Sequence, residues 1–275
     1  MKQIITTLHF IFEILHCISN TTMKFYTTIF TYLSLVIMVA ACAEDDGFSS
    51  FTKSENFKIL GSSAQDLLTS ERYSNLTIEF VYNEGHPPSP FTITTFKSFL
   101  EQRLYKSSIT IKLRSIPDVK EDRLSLEDMI KVEREHRTTF TTTNDISVFV
   151  YFANASYVED TSNQITLGTA YLNTSVIVFE KSLQKVAASM PNVAFQVIES
   201  AALQHEFLHL LGLVNDISAG NALDISGVPN HCDNKNCLMA ANILFTTDTT
   251  ATRLTDQLPT LDSTCLSQLR NMGGK

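Results

Sequence analysis

His205-Glu206-Phe207-Leu208-His209-Leu210-Leu211-Gly212 is the stretch on which the reading of this 275-residue chain turns. Positions 205 and 209 are four apart, so on a helix their imidazoles leave one face about a turn from each other and can chelate a single ion. Glu206 is offset from that face, off the metal yet within reach of a water beside it. Two neutral imidazoles, an open metal position and a carboxylate base are the parts that zinc-assisted hydrolysis requires. The surrounding sequence is apolar nearly all round (Val197, Ile198, Ala201, Ala202, Leu203, Phe207, Leu208, Leu210 and Leu211), which predicts a buried helix. Unpartnered histidines and a glutamate there would cost several kcal/mol. Metal ligation removes that cost.

Upstream, Leu76 to Tyr82 is rich in β-branched and aromatic residues and stops at Asn83-Glu84-Gly85, a strand and its turn. Phe96, Phe99, Leu100 and Leu104 fall at helical spacing within Thr92 to Tyr105. Ile109, Ile111 and Leu113 alternate with polar neighbours in a half-buried strand over Ser108 to Ile116, closed by Pro117. A helix is predicted to start at Ser125, with Asp128 completing a weak capping box and Leu126, Met129 and Ile130 forming its inner face. Asp145 to Phe152 reads as a central strand, and Leu167 to Phe179 as two short strands around Asn173-Thr174. The long helix is expected from about Pro191, a residue suited to a first turn. The order is β-α-β-α-β-β-α, with no internal repeat, phosphate loop or dinucleotide fingerprint.

Apolar residues make up 44% and charged residues 18%, an ordinary globular balance. The net charge of −8 and the lack of any basic run exclude a nucleic-acid partner. Phe30 to Ala41 is uncharged and largely apolar and follows Lys24, the layout of a secretory signal. Val39-Ala40-Ala41-Cys42 then resembles a bacterial lipobox, which implies a lipid on Cys42. Residues 1–41 are read as the signal region, with the true start possible at Met23. Residues 42–56 are read as a tether and 57–275 as the catalytic domain. The chain is expected in the bacterial cell envelope, lipid-anchored to the membrane, and as a monomer.

Gly212, three residues after His209, lets the helix stop sharply. The resulting HExxHxxG resembles the metzincin clan of zinc peptidases, which continues to a third ligand three residues after the glycine. Here that position is Asn215, a weak zinc ligand, with Asp216 one place off. No glutamate follows Glu206, which removes the gluzincin pattern, and the one later histidine is His231. His231-Cys232-Asp233-Asn234-Lys235-Asn236-Cys237-Leu238-Met239 resembles the HC-x4-C-x-M segment of archaemetzincin-like proteins, separated here by an insert from Asn215 to Asn230. The third ligand is therefore expected to be His231, with Asp216 and Asn215 as alternatives.

The resemblance implies an α+β fold of zincin/metzincin type. It would have a twisted mixed β-sheet with backing helices, a long active-site helix and a small C-terminal subdomain with a Met-turn at Met239. It also implies one catalytic zinc ion on His205, His209 and His231, with Glu206 as catalytic base, and a peptide or protein substrate. Leu167-Gly168-Thr169-Ala170-Tyr171 matches the clan's cleft-lining edge strand. Ala241 stands where some metzincins carry a tyrosine. In an exported chain Cys232 and Cys237 are expected to form a disulfide; the resemblance instead suggests a second, structural zinc. Two other functions stay open: a zinc amidase acting on another amide such as a cell-wall link, and a non-catalytic binding lipoprotein.

Overall fold

The computed structural model describes residues 53–213, 231–241 and 257–275. Its elements are α1 (Ala64–Leu68), β1 (Asn75–Asn83), α2 (Pro90–Glu101), β2 (Ser108–Ile116), β3 (Arg123–Leu124), α3 (Leu126–His136), β4 (Asp145–Ala153), β5 (Ser156–Tyr157), β6 (Gly168–Leu172), β7 (Ser175–Phe179), α4 (Glu180–Ser189), α5 (Phe195–Leu210) and α6 (Ser263–Asn271). Five strands form one sheet in the order β2-β1-β4-β7-β6. β2, β1, β4 and β7 run parallel, and β6 closes one edge antiparallel to β7. The sheet is mixed, as the sequence suggests. Parallel pairing dominates it, however, and helices lie on the connections from β1 to β2 and from β2 to β4, which is an α/β trait rather than the α+β segregation expected.

The alternation of side chains sorts the strands between two cores. Leu76, Ile78 and Phe80 of β1 and Ile146, Val148, Val150 and Phe152 of β4 face α2 and α5 in the larger core. Val81, Phe149, Tyr151, Ile177 and Phe179 face α3 on the other side. A strand covered on both faces must be apolar on both, which is why β4 reads as a continuous hydrophobic run. Phe96 of α2 and Phe207 of α5 meet edge to face at 5.1 Å between ring centroids. A polar clamp adds to this contact. Glu199 of α5 accepts from the Ser89 amide, at 3.0 Å, and from the Thr92 hydroxyl, at the start of α2, where the helix dipole favours a carboxylate.

Three expectations change. The helix inferred from Pro191 begins at Phe195, and a separate helix, α4, precedes it. Within α4 only Leu183 among the apolar side chains is fully buried, too little to mark a helical stripe. In α3 the capping box between Ser125 and Asp128 is complete, but Leu126 is 47% exposed and the inner face is Met129, Val132 and Glu133. Glu133 turns inward because Arg137 (2.6 Å), Ser175 (2.8 Å) and Tyr171 (2.7 Å) satisfy it. The tether expected over 42–56 is also too long. Asn56 is fully buried, and its amide donates to Thr141, Thr174 and the Ser147 carbonyl. Residues 53–56 therefore belong to the fold. The proposed signal region and Cys42 lie outside the described residues, among which no helix is long and apolar enough to cross a membrane.

Glu180, the first residue of α4, is buried, and its Oε1 has no hydrogen-bond partner among the described residues. Burial, reinforced by Glu199, pushes its carboxyl up to about 8. A raised carboxyl favours the fold below its ordinary value of 4.5 and loses that contribution as pH climbs towards 8. Glu180→Gln, which cannot ionise, is thus expected to match the parent near pH 4.5 and to exceed it by on the order of 4 kcal/mol at pH 8. Urea unfolding of both proteins across that pH range checks this.

Candidate metal centre and cleft

Sixteen residues of α5 carry His205, Glu206 and His209, all close to its C-terminal end. His205 and His209 are 5% and 7% exposed. His231, half-buried, arrives from the segment beyond the insert, and the three rings lie 5.0, 5.2 and 5.4 Å apart between centroids. One nitrogen from each falls within 4.8 Å of the others, a grouping able to hold a metal ion. The structure thus brings together the three histidines proposed as ligands. Asn215 and Asp216, the alternatives, lie outside the described residues.

Backbone carbonyls set the rings. His205 Nδ1 is 2.7 Å from the Leu238 carbonyl and His209 Nδ1 is 2.9 Å from that of Leu213. A carbonyl only accepts, so Nδ1 must carry the proton and Nε2 keeps its lone pair for a metal. Burial, with the neighbouring imidazoles, pulls His205 down to about 3; burial likewise pulls His209 down to about 4. Both rings are therefore neutral at physiological pH, as ligation requires. Gly212 makes the His209 contact attainable. With φ at 91° it turns the chain, so that Leu213 donates to the Leu208 carbonyl and aims its own carbonyl at His209. A Cβ there would meet Ala64 and Met272 at 2.9 Å.

Glu206 lies beneath the edge strand β6. Its Oε2 accepts from the Ala170 amide at 2.9 Å, while burial pushes the carboxyl up to about 8 against that bond. Gly168 makes the approach possible, because a Cβ there would stand 2.7 Å from Glu206 Cγ and 2.9 Å from the Ile177 carbonyl. The backbone on one side cannot yield, so the carboxylate must. Gly168→Ala is therefore expected to displace that carboxylate from the Ala170 amide and to cost about 1–3 kcal/mol of stability, the usual range for over-packing. Urea unfolding of the variant checks this.

Leu238, Met239 and Ala240 are buried in the turn that bonds His205. The Cys232 amide donates to the Met239 carbonyl at 2.7 Å, so the strip holding His231 doubles back on the methionine. The expected Cys232–Cys237 disulfide is not formed: Cys232, Cys237 and Cys265 are all free thiols. Instead their sulfurs gather with Asp262, donor atoms within 4.8 Å of one another. Cys237 Sγ is 3.7 Å from Cys265 Sγ and accepts from the Met239 and Asp262 amides. The Cys265 thiol donating to it holds Cys237 down to about 6. Among the described residues two groups of donors could thus each hold an ion. Asp262 escaped the sequence reading, although its place three residues before Cys265, at the N-cap of α6, brings carboxylate and thiol to one helix end.

The three histidines, Glu206, residues 163–170 and Ala241 are among those that border a cavity of about 530 Å³. No known protein family and no curated protein matches the chain. Among solved structures it is similar to the archaemetzincin of Methanopyrus kandleri, at 14% identity and a TM-score of 0.45, over 72% of this chain and 96% of that one. It is also similar to a zinc-dependent peptidase from Methanocorpusculum labreanum, at 14% identity and a TM-score of 0.42, over 70% and 99%. The archaemetzincin of Archaeoglobus fulgidus resembles it at 12% identity and a TM-score of 0.38, again over 70% and 99%.

Proposed function

We propose that the chain is a zinc-dependent peptidase with Glu206 as its catalytic base. The observation that carries this reading is the convergence of three imidazoles, with a carboxylate from the same helix as two of them, on a cavity bordered by a sheet edge. The donor set fits zinc, which takes three histidine nitrogens in open catalytic sites. Held there, zinc would supply a Lewis acid that polarises a carbonyl and acidifies water. A cation held beside it would favour the ionised carboxylate against the burial that raises it, and Glu206 then takes the proton from the attacking water and delivers it to the leaving amine. β6, with one side outside the sheet, can add an extended peptide as a further strand, which favours a peptide over other amides.

Met239 would be the apolar floor of this site, in the role of a Met-turn. Three thiols and Asp262 suit a second zinc that staples the His231 segment to α6. Ligation would also protect those thiols in an oxidising compartment. That fits the further proposal of an exported, monomeric chain tethered to the bacterial envelope through a lipid on Cys42.

The purified chain is expected to hold two equivalents of zinc and to cleave an unfolded protein. A chelator should stop cleavage and zinc should restore it. A zinc-loaded chain that cleaves no protein would overturn the reading.

A further inference from the structure

β6 is an edge strand, paired with β7 on one side, yet its backbone holds the carboxylate on which the proposed chemistry turns. The Leu167 carbonyl accepts from the Phe179 amide, and the register then runs Gly168↔Val178, Thr169↔Ile177 and Ala170↔Val176. Bonded and non-bonded positions alternate in an antiparallel pair, so the peptide groups of Gly168 and Ala170 point away from β7. The Ala170 amide is thereby available to Glu206, which accepts from it at 2.9 Å. The next pairing is Leu172↔Ser175, two steps along β6 for one along β7, so Tyr171 is the extra residue of a bulge. Bulges re-aim side chains and recur at sheet edges and beside active sites. Here the bulge sends neighbouring residues to opposite faces: Ala170 packs against the core that contains α5, and Tyr171 against the core under α3.

On that far face the Tyr171 hydroxyl donates to Glu133 Oε2 at 2.7 Å. Glu133 is fixed in turn, because its Oε1 accepts from Arg137 at 2.6 Å and from Ser175 at 2.8 Å. The buried Arg137 also donates to the carbonyls of Thr139 and of Ser147 on β4. An unbroken set of bonds therefore runs from the central strand, through α3, to the residue beside Ala170. We infer that Tyr171 is a positioning residue for the reaction: its bond to Glu133 fixes the bulge, the bulge fixes the Ala170 amide, and that amide fixes the Glu206 carboxylate. The inference rests on the peptidase reading. Among the described residues the stretch of chain lining the cavity ends at Ala170, so Tyr171 acts through the backbone and not on a substrate. A base shifted by about 1 Å loses rate steeply, which gives one hydroxyl on the opposite face of the sheet a hold on the chemistry.

The test is Tyr171→Phe, which keeps the ring and deletes the hydroxyl. In the zinc-loaded chain it should lower peptide turnover about 10-fold with zinc content kept, and in a Glu206→Gln background it should lower the residual rate no further. Hydrogen exchange resolved by residue should show the Ala170 amide exchanging about 10-fold faster, with β1 and β4 unchanged. Tyr151→Phe is the comparison for a purely structural hydroxyl, since Tyr151 donates within the same core, at 2.8 Å to Asn83. It should leave turnover and Ala170 exchange as in the parent. Unchanged turnover in Tyr171→Phe, unchanged Ala170 exchange, an equal loss in the Glu206→Gln background, or the same loss in Tyr151→Phe would overturn the positioning role. Should Tyr171→Phe fail to fold, the parent still decides: its Ala170 amide, although on the free edge, must exchange as slowly as amides inside the sheet, and fast exchange would overturn the role. Exchange is read without activity, so a parent that cleaves no peptide would overturn the peptidase reading separately.

Discussion

Glu206→Gln should lower turnover about 10²- to 10⁴-fold, the range expected for removing a positioned general base, with zinc content unchanged. The amide matches the carboxylate in shape, and its oxygen can still accept from the Ala170 amide now bonded to Glu206. Position is therefore kept and basicity alone is lost. KM should move little, because the proton transfer matters only in the transition state. Metal analysis alongside steady-state kinetics separates this result from a disrupted site. Retained turnover with zinc in place would remove Glu206 from the chemistry.

His231→Ala acts on the metal rather than on the proton. His205 and His209 would remain, their Nδ1 atoms still fixed by the Leu238 and Leu213 carbonyls, but two ligands from one helix leave the ion exposed to water and competitors. Affinity at the histidine site should fall by more than about 100-fold, beyond the 10- to 100-fold of supporting residues, and activity should fall with it. Asn215→Ala and Asp216→Ala should keep both. The cysteine cluster complicates a bulk measurement, since it would hold its own ion. Zinc release into a chelator, followed over time, should resolve a fast and a slow equivalent in the variant. Equal retention of both equivalents would move the third ligand elsewhere.

Much of this is legible in the sequence alone, and the reasons are specific. β4 and α2 carry patterns that burial forces on them, and the ends of β2 coincide with the residues read from its alternation. The histidine pair and Gly212 are local features, and local spacing translates directly into geometry. What stayed hidden depends on partners distant in sequence. Glu133 points inward only because Arg137, Tyr171 and Ser175 converge on it. Gly168 looks like any strand glycine until Glu206 is seen against it. The pairing of Cys232 with Cys237 was inferred from proximity in sequence and compartment. The fold instead brings in Asp262 and Cys265 from beyond a second interval, and the expected crosslink gives way to a cluster of donors that could hold a metal. Pro191 misled because a proline suits a helix start equally well as the turn before one.

These residues also link the two candidate ion sites. His231 and Cys232 are neighbours in sequence, and the strip between Cys232 and Met239 binds on one side to His205, through Leu238, and on the other to α6, through Cys237 and Asp262. A metal held at the thiols would thus limit the freedom of the third histidine, and second-sphere order of this kind sets how well a metal is held.

Anomalous diffraction at the zinc edge from crystals of the zinc-loaded chain is the most direct measurement of the central claim. The account predicts a peak about 2.0–2.1 Å from Nε2 of His205 and His209 and from a ring nitrogen of His231, separate from one at the thiol cluster, with Glu206 outside the coordination sphere. A peak that leaves His231 unbound and draws its third ligand from Asn215 or Asp216, or no peak among the three rings, would contradict it.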